Sequence, residues 1–210
     1  MTAAGSEAGS AHPAGWLVAG LGNPGAGYAL SPHNLGFMVI DRLAEKYRIR
    51  VRQKDGQALV GAGEIEGVPV LLAKPQTYMN LSGAAVRALL ARRGLGPADL
   101  VVVYDDHDLR WQALRIRERG SAGGHHGMES VIREIGTNEF VRVRLGIDPG
   151  GGRPADPEFL LAPLEREQFY ELADFLDYAV QAIAAIISEG VAKSMTRFNR
   201  RAPGEQPEEE

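Results

Sequence analysis

One histidine, two aspartates, two asparagines and a glycine-rich loop are the residues of this chain whose types and settings could carry chemistry. His33 stands in SPHN, at the end of a turn-rich loop that also holds Asn23, while Asp105 and Asp106 close the apolar run LVVVYDD. An imidazole held by a carboxylate can act as a general base near neutral pH. Asn80 lies in KPQTYMNLSG, just ahead of a helical pattern, where a helix N-cap is an equally good role. The loop GSAGGHHGM (120–128) places three glycines before His125 and His126. Such glycines allow a ligand close to the backbone, and amides at the next helix start could bind an anion.

The loop ahead of His33 invites another reading. Gly20, Gly22 and Gly25 spell G-x-G-x-x-G after a short apolar strand, the fingerprint of a dinucleotide site. That site needs its third glycine inside a helix whose N-terminus holds pyrophosphate. Here Pro24 precedes Gly25, Gly27 follows, and Pro32 intervenes before any helical period begins. The glycines are therefore expected to shape a tight loop that displays Asn23 and His33.

The elements that must position these residues follow from periodicity. WLVAGL (16–21) reads as a buried strand, and Leu35, Met38, Val39, Leu43 and Tyr47 recur at helical spacing. ALVGAGEI and VPVLLAKP pair as a hairpin around Glu66-Gly67, and Leu81 to Arg93 is helical, closed by Gly94. LVVVYDD (100–106) suits a central strand covered on both faces. A strand near Ala113–Arg117 leads into the glycine-rich loop, and Met128 to Ile135 is a helix stopped by Gly136. In FVRVRLGI (140–147), Val141, Val143, Leu145 and Ile147 face one way, and Arg142, Arg144 and Phe140 the other. From Pro163 to about Arg200 the pattern is helical, broken near Gly190. These elements predict one α/β domain over about 16–202: a mostly parallel, mixed, twisted sheet with helices on both faces. Catalytic groups of such sheets gather at the carboxyl ends of strands, where Asp105, Asp106 and the His33 loop all fall.

Composition excludes several classes of function. The chain of 210 residues has no cysteine, which rules out disulfides, thiolate metal sites and cysteine nucleophiles and is compatible with a cytosolic protein. MTAAGSEAGSAHPAG lacks the basic start and apolar centre of a secretory signal. AVQAIAAII (179–187) is too short to span a bilayer, so no membrane role is expected. Residues 1–15 and 203–210 are small, Pro/Gly-rich or acidic, and are expected to be disordered. Net charge is −4, but Glu7, Glu205, Glu208, Glu209 and Glu210 lie in those tails, and setting them aside turns it into +1. Any affinity for nucleic acid must then come from local patches.

Taken together, GLGNPGAGYALSPHNLGF, KPQTYMNLSG, YDDHDL, RERGSAGGHHGMESVIREIGTNEFVRVRLGI and GVAKSMTRFNR resemble bacterial-type peptidyl-tRNA hydrolase from about Trp16 to Arg200. The resemblance implies hydrolysis of the ester between a peptide and the 3′-terminal ribose of tRNA, in the cytoplasm, by a monomer without a cofactor. By position it makes His33 the catalytic base and Asp105 the carboxylate that steadies it. Asn23 and Asn80 match asparagines that grip the peptide and recognise a blocked amino group. Tyr28 and Tyr78 match positions near the terminal nucleotide and peptide, and Arg115, Arg117 and Arg144 fall where basic residues face the acceptor stem. Asparagine amides both donate and accept, which suits an enzyme that reads peptide backbone whatever its side chains.

Two positions depart from that pattern. His126 stands where the family most often has an asparagine that contacts substrate and helps place water, and His107 where a leucine-like residue is usual. Two other functions compete with the hydrolase. One is a metal-dependent phosphoesterase using His107, His125, His126, Asp105, Asp106 and Asp108. The other is a catalytically silent relative that binds RNA and protein.

Overall fold

The computed structural model describes residues 15–148, 150 and 156–199. Along the chain run β1 (Trp16–Gly20), α1 (Leu35–Lys46), β2 (Gln53–Asp55), β3 (Ala58–Ile65), β4 (Val68–Pro75), α2 (Ser82–Arg93), β5 (Leu100–Arg110), β6 (Leu114–Arg117), α3 (His126–Ile135), β7 (Val141–Asp148), α4 (Pro157–Leu161), α5 (Arg166–Glu189) and α6 (Val191–Phe198). Among the described residues the strands make one seven-stranded sheet, in the order β2-β3-β4-β1-β5-β7-β6. The inner strands β4, β1, β5 and β7 are mutually parallel, and β3 and β6 bind them antiparallel on either side. The mixed α/β sheet expected from the sequence is the one observed. The expected terminal tails lie outside the described residues, apart from Gly15.

Alternation along β5 divides the core into two layers. Val101 and Val103 pack with α1, α5 and α6, whose apolar stripe includes Leu172, Phe175, Ala179 and Ile183. Val102 and Tyr104 pack on the opposite face with residues of α2 and α3. Each fully buried Val, Leu or Ile side chain contributes about 1.5–3 kcal/mol, so the sheet is held from both faces.

The glycines of the β1 loop serve packing. A Cβ on Gly20 would sit 2.1 Å from the Gly36 carbonyl oxygen, and one on Gly36 would sit 2.4 Å from both Leu21 N and Val103 O. The first turn of α1 therefore lies directly on the end of β1 and on β5 at Val103, a contact that any side chain would prevent. At the β3–β4 turn both Glu66 (φ 50°) and Gly67 (φ 78°) are left-handed, as a two-residue hairpin with the right twist requires.

Several elements differ from expectation. β5 continues to Arg110, because beyond an irregularity after Asp106 it still pairs Arg110 with Asp148 of β7. The short edge strand β2 carries no apolar alternation and pairs antiparallel with β3. The helical C-terminal region starts earlier, with α4, capped by the Asp156 side chain on Phe159 N. Asn80 lies in a 3-10 turn, Met79–Leu81, and caps no helix through its side chain.

Candidate active site

β1 lies between β4 and β5, so chain order reverses across it and a crevice opens beyond the carboxyl ends of these three strands. A cleft of about 610 Å³ occupies that place, lined among others by Asn23, His33, Asn80, Asp105 and His125. Leu160 and Leu161 of α4 form an apolar part of its wall.

His33 is the middle residue of a 3-10 turn, Pro32–Asn34, that leads into α1. Pro32 supplies the φ that a turn start needs, and Asn34 N closes the turn on Ser31 O at 3.0 Å. The His33 ring is buried, and its Nδ1 lies 2.8 Å from Asp105 Oδ2 and 3.0 Å from Oδ1. A carboxylate can only accept, so Nδ1 carries the proton and Nε2 keeps a free lone pair. Burial works against the His33 imidazolium, but the charge and hydrogen bond of Asp105 outweigh it and raise the His33 pKa above its ordinary value.

The same carboxylate receives a second imidazole. His125 Nε2 lies 3.0 Å from Asp105 Oδ1, and the His125 ring stands 5.0 Å from that of His33 and 4.9 Å, edge-on, from Tyr104. Burial pushes the Asp105 carboxyl up, and the two histidines more than reverse it, holding it well below the usual carboxylate range. Asp105 thus joins one histidine from the layer of α1 and another from the layer of α3.

Asn23 is held from three directions. Its backbone N–H donates to Asn34 Oδ1 (2.8 Å), its carbonyl accepts from Asn34 Nδ2 (3.0 Å), and its Oδ1 accepts from Met79 N (2.9 Å). That leaves the amide Nδ2 of a buried side chain in the cleft wall. Asn80 and Tyr78 are exposed at the rim. His126 is also exposed at the rim, with Nδ1 3.1 Å from Glu129 Oε2, and His107 lies 3.4 Å from Asp108. Tyr28 sits half-buried in the 3-10 turn Ala26–Tyr28 and is not among the residues lining this cleft.

The basic residues gather elsewhere. In the β6–β7 pairing Arg115 faces Arg144 and Arg117 faces Arg142, and strand alternation puts all four on one face. A recess of about 230 Å³ there includes Arg117, Arg144 and Asp106. Arg144 is not a bare cation, because its Nε donates to Asp106. Burial disfavours the Arg144 charge, but Asp106 outweighs it and raises the pKa. Arg142 is buried and donates to the carbonyls of Gly120, Ser121 and Asn138, which anchors the start of the glycine-rich loop.

The metal reading fails on this geometry. Of the six residues it requires, His126 and Asp106 bond instead to Glu129 and Arg144. His33, Asp105 and His125 do bring ligand atoms within 4.8 Å of one another. A metal on His125 Nε2 would force the ring proton onto Nδ1, which already accepts from Met128 N at 3.2 Å. A metal on His33 Nδ1 would likewise displace the proton given to Asp105.

The family model described as peptidyl-tRNA hydrolase matches residues 17–206. The chain belongs to the peptidyl-tRNA hydrolase family. A peptidyl-tRNA hydrolase of Solibacter usitatus is 56% identical over 92% of this chain and 99% of its own length. One from Koribacter versatilis is 48% identical over 88% of this chain and 92% of its own. Among solved structures, the peptidyl-tRNA hydrolase of Acinetobacter baumannii superimposes with a TM-score of 0.83 at 31% identity, covering 93% of this chain and 100% of its own. Against this family frame, sequence reasoning missed two residues of the site, one on the cleft wall and one behind it. His125 stands in the sequence as part of the glycine-rich loop and as a possible metal ligand, and its place just before a helix was a capping signal. Asn34, the partner of Asn23, carried no signal beyond adjacency to His33.

Proposed function

We propose that this chain hydrolyses the ester joining a peptide, or an N-blocked amino acid, to the 3′-terminal ribose of tRNA, with His33 as general base. The observation that carries the reading is the buried bond from His33 Nδ1 to Asp105, 2.8 Å, which leaves the other ring nitrogen free in a residue of the cleft wall. His33 Nε2 takes a proton from water as the water attacks the ester carbonyl, and Asp105 stabilises the imidazolium that forms. The Asn23 amide N–H is a pre-positioned donor for the developing oxyanion or the adjoining peptide carbonyl, since Met79 N already occupies its oxygen. The ribose hydroxyl leaves and takes the proton back from His33. None of these steps calls on a cofactor.

Around this centre Asn80 and Tyr78 meet the peptide and terminal nucleotide at the rim, and His126 supplies a polar contact there. Tyr28 acts from the neighbouring turn. Arg115, Arg117 and Arg144 take the nucleic-acid half of the substrate. Like charges set directly opposite on paired strands repel. Arg115 and Arg117 facing Arg144 and Arg142 is an arrangement that phosphates of the acceptor stem would relieve. Among the described residues no helix is long and apolar enough to cross a membrane. We take the working form to be a cytoplasmic monomer.

The test is turnover on N-acetyl-aminoacyl-tRNA beside the unblocked aminoacyl-tRNA. Release of the blocked amino acid, lost in His33→Asn while tRNA binding persists, is the expected result. A wild-type chain that binds tRNA and releases nothing would leave the silent binding relative as the better account.

A further inference from the structure

His125 is the buried imidazole that the reaction above leaves without a task. Its two nitrogens have different partners. Nδ1 lies 3.2 Å from the backbone nitrogen of Met128, at the N-cap of α3, and Nε2 lies 3.0 Å from Asp105 Oδ1. A backbone N–H can only donate, so Nδ1 must accept, and a neutral imidazole that accepts at Nδ1 carries its proton on Nε2. The helix cap therefore dictates the tautomer, and the tautomer makes Nε2 a donor to the carboxylate. Tyr104 fixes the ring plane from the side.

We propose that His125 is a positioning residue for the hydrolysis: its ring, locked in one tautomer by the start of α3, donates to Asp105 and keeps that carboxylate aimed at His33. This rests on His33 being the base. Asp105 pairs with Leu145 one residue before the last regular pair of β5, Asp106 with Gly146, beyond which the register breaks before Arg110. His33 alone would leave the carboxylate free to swing about that bond, whereas a donor from the opposite layer pins it. Because the donated proton belongs to a neutral ring, it steadies Asp105 without cancelling its charge. It also draws electron density from the carboxylate and so moderates the pull of Asp105 on the His33 proton. The other ionisable groups around the trio are Tyr104 beside His125, Asp106 with Arg144 beyond it, and at the cleft His107, Tyr78 and His126 with its partner Glu129.

Two substitutions separate the bond to Asp105 from the bond to the helix. Asparagine carries its oxygen where imidazole has Nδ1, so His125→Asn keeps the α3 cap but stops short of Asp105. Glutamine is one methylene longer, and its amide N–H reaches the place of Nε2, so His125→Gln keeps the donor to Asp105 at the expense of the cap. The measurements are kcat, KM and the pH profile on N-acetyl-aminoacyl-tRNA, with thermal unfolding of each variant. In His125→Asn, kcat should fall up to about 100-fold while KM stays within about twofold. The acidic limb should move to higher pH, because a carboxylate that no longer shares its charge with the His125 N–H holds the His33 proton more strongly. His125→Gln should recover both kcat and limb toward wild type even where it melts lower.

The opposite order, with the asparagine variant active on an unshifted limb and the glutamine variant impaired, would make His125 a helix cap only and overturn the proposal. Nitrogen-15 shifts of the histidine rings give a second reading at pH 7, with the Nε2–H tautomer expected at His125. An Nδ1–H form would equally overturn the proposal. Neither failure touches the role of His33, which wild-type turnover and its loss in His33→Asn decide independently.

Discussion

Asp105 and Asp106 are consecutive residues of β5, both buried, yet strand alternation turns them to different partners. Asp105 accepts from two imidazoles in the cleft. Asp106 accepts from the guanidinium of Arg144 and from the backbone of Asp108. The contrast lies in the partner's charge. A guanidinium stays charged at any working pH, so Asp106 is locked in a standing ion pair that shapes the arginine face. The charge of an imidazole comes and goes near neutrality, so Asp105 can favour a proton on His33 when the transition state needs it. In the proposed mechanism, two like carboxylates one residue apart thus divide reaction from grip.

The most severe way to break this division is at the base. His33→Asn should lower kcat by about 10⁴-fold with tRNA affinity preserved, measured by turnover and by equilibrium binding. Appreciable hydrolysis in that variant would remove His33 from the chemistry.

Asp105→Asn should lower kcat by about 100-fold, and it should also move the pH profile. Asp105 is what raises the His33 pKa, against burial, which lowers it. With the charge gone only burial remains, so the acidic limb should shift to lower pH, opposite in sign to His125→Asn. A limb that stays in place would mean that Asp105 does not act through His33.

Asp106→Asn sharpens the comparison from the other face. Turnover of a minimal substrate lacking the acceptor stem should change less than about twofold, with no movement of the acidic limb. Full-length tRNA should bind more tightly, with a log–log salt slope steeper by up to about 0.9, because Arg144 is released to phosphate. Arg117→Ala should do the reverse, weakening full-length tRNA and flattening the slope by about 0.7–0.9. Equal losses on stemless and full-length substrates would move Arg117 into the fold or the cleft.

The smallest effect is expected at the rim. His126→Asn should alter kcat/KM near neutral pH by no more than about threefold, since the exposed ring bonds to Glu129 and not to the buried trio. A loss of most activity would show that a second histidine had become part of the chemistry.

The sequence by itself determined the period of nearly every large element, because burial on one or two faces writes itself into residue spacing. The β1 strand, the Glu66-Gly67 hairpin, the helix stop at Gly94 and the break at Gly190 were all readable for that reason. So were His33 and Asp105 as candidates, His33 through its loop after β1 and Asp105 through its place closing the apolar run of β5. β2 and α4 were not, since an edge strand paired by backbone and a five-residue helix leave little trace in apolar periodicity. Nor could local pattern tell Arg142 from Arg144, which share a face on one strand. Only the fold shows the first buried under loop carbonyls and the second paired with Asp106.

The assembly of the trio was likewise a tertiary decision. His33 and Asp105 are 72 residues apart, and His125 lies 20 further on. The carboxylate gathers them because Asp105 lies on β5 between two helical layers, with His33 just ahead of α1 and His125 at the N-cap of α3. Sequence names the groups that can titrate or bond, since that is local chemistry. Which of two adjacent histidines turns inward depends on the direction in which α3 begins, and long-range packing alone sets that direction.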